Sequence, residues 1–144
     1  MQVQQILNSK ADSTVVTVKP GSLVLDAAKL LAEKGIGTVV VSEDGVSALG
    51  ILSERDVVRE LARTGGTCLS VKVDDVMTKQ LVTCDLHTPA ERVMQDMTGG
   101  RFRHMPVVEN GRMVGLITMG DVVKARLSEL EMEKDSLEGM IMGF

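Results

Sequence analysis

A chain of 144 residues with 44% hydrophobic residues and a net charge of −4 has the size of one compact domain and enough apolar material for a core. With no Trp, no Tyr and two Phe it argues against a general nucleic-acid binder, which needs basic surface and stacking rings. No apolar run approaches the roughly 18 residues of a membrane span, and the start, Met1-Gln2-Val3-Gln4-Gln5, lacks the basic region and apolar stretch of a secretory signal. Cys68 and Cys84 have no motif spacing, which predicts free thiols in a reducing cytoplasm.

In chain order, a lead-in at Val3–Asn8 precedes a predicted strand over 15–18. Pro20-Gly21-Ser22 then supplies a break and a cap for a helix over 23–33. Strands over 38–42 and 48–52 flank the turn Glu43-Asp44-Gly45, and a closing helix follows Ser53. The series then begins again, with a lead-in at Val73–Thr78 and a strand over 81–84. Thr88-Pro89-Ala90-Glu91 offers a hydroxyl N-cap, proline at the first helical position and a capping-box Glu for a helix over 89–97. Strands over 105–109 and 113–117 flank Asn110-Gly111, with Pro106 placed at a strand start, where its missing donor is tolerated. The last helix runs long.

The same order twice is a repeat of about half the chain, and the repeat sets the architecture. Its clearest mark is Gly50-Ile51-Leu52-Ser53-Glu54-Arg55-Asp56, which returns as Gly115-Leu116-Ile117-Thr118-Met119-Gly120-Asp121, each followed by Val-Val. A buried strand passes there straight into a helix, with a hydroxyl and a carboxylate one turn apart. Two explanations fit such a junction. Ser-x-x-Asp and Thr-x-x-Asp are near capping boxes. They also place an ionised acceptor beside free helix-start amides, where a small polar ligand with vicinal hydroxyls and an anion could be held.

Catalytic signatures are missing: no Walker sequence, no Gly-x-Ser-x-Gly elbow and no His-Glu-x-x-His. Gly35-Ile36-Gly37 lacks the third glycine of a dinucleotide fingerprint, and Cys84-Asp85-Leu86-His87 lacks the third and fourth ligands of a metal site. Neither an enzyme nor a bound metal is expected.

The strand-helix-strand-strand-helix repeat ending in Gly-h-h-Ser/Thr-x-x-Asp resembles the CBS domain, named after cystathionine β-synthase, and the tandem copy resembles a Bateman module. The resemblance covers about residues 1–130. It implies a mixed α/β (α+β) fold of two pseudo-two-fold-related β-α-β-β-α repeats packed through their sheets, with a long C-terminal helix added. The expected divisions are 1–66, 67–130 and a helical extension over 131–144. The resemblance further implies adenine-nucleotide ligands (AMP, ADP, ATP, NAD or S-adenosylmethionine), with Asp56 and Asp121 on the ribose hydroxyls and Ser53 and Thr118 on phosphate. Backbone around Ile36, Gly37 and Thr38, and around Arg103, His104 and Met105, would meet the adenine edge, with Pro106 counted among the nucleotide-binding residues. No cofactor is required beyond such a ligand.

The copies are unequal. Copy two reads Arg101-Phe102-Arg103-His104-Met105 before Pro106, where copy one reads Lys34-Gly35-Ile36-Gly37-Thr38 before Val39. The resemblance implies that Arg103 and His104, and with them Arg101, reach ligand phosphate, and a guanidinium fork suits that anion. The plainer alternative is a solvated basic turn. Alternation along an extended segment sets Arg103 and His104 on opposite sides and puts Arg101 with Arg103. Copy one's cleft is left with three options: empty, filled by a less charged moiety such as adenosine, or supplied with a cation by Arg55 or by copy two.

In the last helix Val123, Leu127, Leu130, Leu137 and Ile141 form a seam with coiled-coil spacing, and Gly139–Phe144 is apolar. Either it folds back on its own chain or it pairs two chains; the resemblance favours a homodimer. The sequence therefore predicts a stand-alone cytoplasmic regulatory module that senses an adenine nucleotide and signals to a protein partner, without nucleic acid or membrane. The alternative is a structural or interaction module whose motifs are caps and whose clefts are empty.

Overall fold

The computed structural model describes residues 1–142; residues 143 and 144, the end of the predicted extension, lie outside the described residues. The elements run α1 (Val3–Ser9), β1 (Thr17–Val18), α2 (Val24–Lys34), β2 (Thr38–Val41), β3 (Gly50–Ser53), α3 (Glu54–Thr64), two 3-10 turns (Gly65–Ser70 and Val73–Asp75), α4 (Ala90–Gly100), β4 (His104–Glu109), β5 (Arg112–Thr118) and α5 (Met119–Met142). This is the predicted mixed α/β order, with two small sheets and a long C-terminal helix.

The chain forms two compact units, and they are not cut where the repeat is cut. One holds Thr14–Val82 and Glu109–Val114; the other holds Met1–Ser13, Thr83–Val108 and the chain from Gly115 onward. Backbone bonding shows why. The Val3 amide donates to Thr88 O at 2.9 Å and the Ala90 amide to Met1 O at 2.9 Å, so the first lead-in is laced to the second copy's helix start. In the mirror arrangement, the Val73 amide donates to Ser22 O at 2.8 Å and the Val24 amide to Val71 O at 2.9 Å. Each lead-in serves the other copy.

In the first unit β1-β2-β3 is a three-stranded sheet, β1 parallel to β2 and β2 antiparallel to β3, with Thr38 opposite Ser53 and Val41 opposite Gly50. All four β2 residues are buried, as expected of a central β-branched strand. Val24, Ala27 and Leu31, spaced for one helix face, close the core over Val39, Val41, Leu52 and Val73. α2 ends at Gly35, whose φ of +62° makes the left-handed cap that glycine adopts most cheaply.

The second unit repeats the plan with one strand reduced. The strand expected over 81–84 is a single parallel bridge, Cys84 to Val107. Its bonds are Cys84 N to Pro106 O at 3.0 Å and Val108 N to Cys84 O at 2.8 Å. The matching bonds of the first sheet include Val40 N to Val16 O at 3.0 Å, and proline has no donor to make its counterpart. Pro106 is thus the third residue of β4, not its first, and it shortens the neighbouring strand. The same ladder aligns Pro106 with Val40 instead of Val39, because Ser42 N to Val18 O corresponds to Val108 N to Cys84 O. The core gathers Val3, Ile6, Val93, Met97, Met105, Val107, Ile117 and Val122. The turn from β4 to β5, which belongs to the first unit, is made by Asn110 and Gly111, both at positive φ (52° and 75°), the backbone of a type I′ hairpin.

Two predicted caps are replaced. Pro89, not Thr88, is the N-cap of α4, and the Thr88 hydroxyl bonds Asp85 instead. Leu23 caps α2 without a side-chain bond, while the Ser22 hydroxyl donates to Lys19 O at 2.6 Å. In both places a carbonyl just ahead of a lead-in, Met1 O or Val71 O, takes one helix-start amide, a bond the nearest hydroxyl would otherwise make.

Candidate functional site

The two strand-to-helix junctions are built alike. In the first, Ser53 caps α3: its Oγ accepts from the Asp56 amide at 3.2 Å, and Asp56 Oδ2 accepts from the Ser53 amide at 2.9 Å and from Ser53 Oγ at 3.0 Å. In the second, the Thr118 amide donates to Asp121 Oδ2 at 2.9 Å and the Asp121 amide to Thr118 Oγ1 at 3.2 Å. Both motifs are closed capping boxes, and the shorter Asp reaches as well as the usual Glu.

The leading glycine of the motif has its own cause. A Cβ on Gly50 would lie 2.8 Å from Met77 Cγ and 3.0 Å from Thr78 O; one on Gly115 would lie 2.9 Å from both δ-methyls of Leu7. Met77 and Leu7 are matching residues of the two lead-ins, so the glycine makes room for the exchanged segment.

A second matching pair of bonds draws the adenine-edge candidates to the junctions. The Glu54 amide donates to Gly37 O at 2.9 Å, and the Met119 amide to Arg103 O at 2.8 Å. Gly37 and Thr38 thus stand beside Ser53 and Asp56, while Ile36, half-buried, leads into them. Arg103 and His104 stand beside Thr118 and Asp121, ahead of the buried Met105 and Pro106. Thr38, opposite Ser53, is 6% exposed, and its hydroxyl has no hydrogen-bond partner among the described residues.

The cationic candidates differ in setting. Arg101 is the exposed C-cap of α4 at φ +57°, the counterpart of Gly35. The chain is left-handed there, so the alternation that paired Arg101 with Arg103 does not extend to it. Arg103 is exposed and His104 half-buried. Arg55, second in α3, is exposed, whereas Arg59 sits 3.6 Å from Asp56 Oδ1.

Sequence reasoning missed one cation altogether. Lys10 Nζ lies 2.9 Å from Asp121 Oδ2 and donates to Leu116 O at 3.2 Å. The matching carbonyl in the other junction, Ile51 O, is taken by the Thr78 backbone amide at 2.9 Å. Only the lead-in exchange brings Lys10 to Asp121, and nothing in residue spacing announces that exchange.

Among the described residues no group of three or more His, Cys, Asp and Glu could hold a metal. No described helix is long and apolar enough to cross a membrane. Cys68 and Cys84 are both buried and unpaired, and burial pushes the Cys84 thiol up to about 12, leaving it a poor nucleophile.

The family model for the CBS domain matches residues 4–63 and 73–128. The chain belongs to the CBS-domain family. The mitochondrial CBS-domain protein CBSX3 of Arabidopsis thaliana is 34% identical over 98% of this chain and 72% of its own length. A CBS-domain protein of Agrobacterium tumefaciens superposes with a TM-score of 0.83 at 44% identity, covering 88% of this chain and 99% of that one. The fold is also shared, at a TM-score of 0.74 and 21% identity over 84% of this chain and 89% of the other, with a CBS-domain protein of Pyrobaculum aerophilum solved in complex with AMP.

Proposed function

We propose that this CBS pair is a non-catalytic regulatory module that binds an adenine nucleotide at its two strand-to-helix junctions and passes the occupied state to a protein partner. The observation that carries this is the doubled junction: a carboxylate and a hydroxyl at a helix start, with the backbone of residues 37–38 or 103–104 bonded alongside. An ionised carboxylate can accept from vicinal hydroxyls, and helix-start amides favour an anion. Asp121 and Asp56 take the ribose, and Thr118 and Ser53 the phosphate; Arg103, His104 and Arg101 add charge in copy two. The AMP complex of the Pyrobaculum aerophilum protein supports the ligand class. The module works in the cytoplasm as a homodimer, with AMP, ADP, ATP, NAD and S-adenosylmethionine as candidate ligands.

The closed capping boxes favour a second reading, in which these residues serve the helices only and the module acts as a scaffold. A thermal-shift panel across the five ligands separates the two. A true ligand at 100 times its Kd adds about 2.7 kcal/mol, roughly 5–10 °C in Tm at this size. A flat panel leaves the scaffold. Bound ligand in the purified protein is also readable near 260 nm, since the chain has no Trp or Tyr.

For the homodimer the support is α5. Val122 and Ala125 face the core, while Val123, Leu127, Leu130, Leu137 and Ile141 are all exposed, Ile141 at 85%. Among the described residues nothing covers this seam. Sedimentation at micromolar concentration is expected to give a dimer, and Leu127→Glu with Leu130→Glu a monomer; a wild-type monomer removes this part of the proposal.

A further inference from the structure

Asp121 already holds a cation. Its Oδ2 accepts from the Thr118 amide and pairs with Lys10 Nζ, both at 2.9 Å, so the ammonium lies within one carboxylate oxygen of the hydroxyl-bearing junction. Lys10 and Asp121 side chains are only 21% and 20% exposed. The ammonium has three donors, and Asp121 and Leu116 O engage two of them.

Among the described residues the other junction has no comparable buried cation. There the Thr78 amide, a neutral donor, takes the Ile51 carbonyl, and the cation near Asp56 is Arg59, 71% exposed and at 3.6 Å. The two junctions thus share a carboxylate and a cap but differ in one largely desolvated positive charge.

That charge has a consequence for any ligand that claims the Asp121 carboxylate. Hydroxyl groups that bind Asp121 compete with Lys10 for it, and a desolvated ammonium stripped of its counter-ion is costly. A neutral ligand offers no replacement. A ligand that brings an anion to the neighbouring helix start does. We infer that Lys10 is a specificity residue of the second junction, selecting ligands that carry a phosphate or similar anion and penalising neutral nucleosides, while the first junction lacks this selection. Lys10 moves from Asp121 onto the ligand anion, with Leu116 O as its anchor. This inference rests on the adenine-nucleotide reading above.

The test is isothermal titration of the full chain with AMP and with adenosine, in an Asp56→Asn background that removes the first carboxylate but keeps an amide oxygen to accept from Ser53. In that background AMP is expected to bind at least tenfold more tightly than adenosine. Lys10→Gln should shrink the ratio below threefold, and Lys10→Arg should restore it. A ratio, unlike a single affinity, is insensitive to any loss of stability common to both titrations. The inference is overturned if Lys10→Gln leaves the ratio unchanged, if it weakens both ligands equally, or if the background binds neither while the wild type binds AMP. Should the wild type itself bind no adenine nucleotide, the functional reading falls first and this selection with it.

Discussion

The two junctions come from one repeated motif, yet Asp56 and Asp121 sit in different electrostatic settings. Asp56 works for its own helix, accepting from Ser53 twice, with an exposed arginine at a distance. Asp121 works for its helix and also neutralises Lys10, which reaches it from the lead-in of the other copy. Duplication has preserved the cap and altered the charge. Equivalent motifs are therefore not equivalent sites, and the difference arises in segments some 110 residues away along the chain, outside the motif itself.

The largest expected effect breaks this contrast through stability. Asp56→Ala removes a capping acceptor, worth about 1 kcal/mol, and a mostly exposed ion pair worth little more than zero. Asp121→Ala removes the same cap and leaves the Lys10 ammonium without its carboxylate, a further loss of about 1–3 kcal/mol. Urea denaturation should therefore show Asp121→Ala as the less stable variant by about 1–2 kcal/mol, with Lys10→Gln added to Asp121→Ala recovering most of the gap. Equal losses at the two sites would mean that the Lys10 pair contributes nothing net.

Much of this was readable in the sequence because it is local. Four helices (α2 to α5), both hairpins, the doubled motif and its capping chemistry follow from periodicity, β-branched runs and turn residues over a few positions. The alignment of Pro106 with Val40 was not readable, since only the ladder with Cys84 distinguishes it from Val39. The Thr88 and Ser22 caps misled for a related reason: a helix start laced by a distant segment has no need of its nearest hydroxyl. Lys10 shows the limit most clearly. Its neighbours Ser9 and Ala11 mark nothing, and its role exists only because α1 packs with α4 and α5 instead of with the strands it precedes.

The smallest expected effect contrasts the two hairpin turns. Between β4 and β5 the turn needs no charge, since Asn110 and Gly111 take positive φ by themselves. The longer turn between β2 and β3 depends on Asp44, whose Oδ1 accepts from the Val46 and Ser47 amides at 2.9 and 2.8 Å. Those two backbone bonds hold its carboxyl below the ordinary carboxylate value of about 3.9. A depressed folded pKa contributes stability that is present above the unfolded value and lost as pH falls through the folded one. Acidification should thus loosen residues 42–47 below about pH 4 while leaving 110–111 unchanged. Amide chemical shifts followed by NMR are expected to show Val46 and Ser47 titrating together with a midpoint below 3.9, a response that Asp44→Asn abolishes. A midpoint at or above that value, or a matching response at Gly111, would mean that the carboxylate is not what holds the turn. Asp44 lies in an exposed turn, so the effect stays local: the turn opens in acid while the buried β2 strand beside it keeps its pairing.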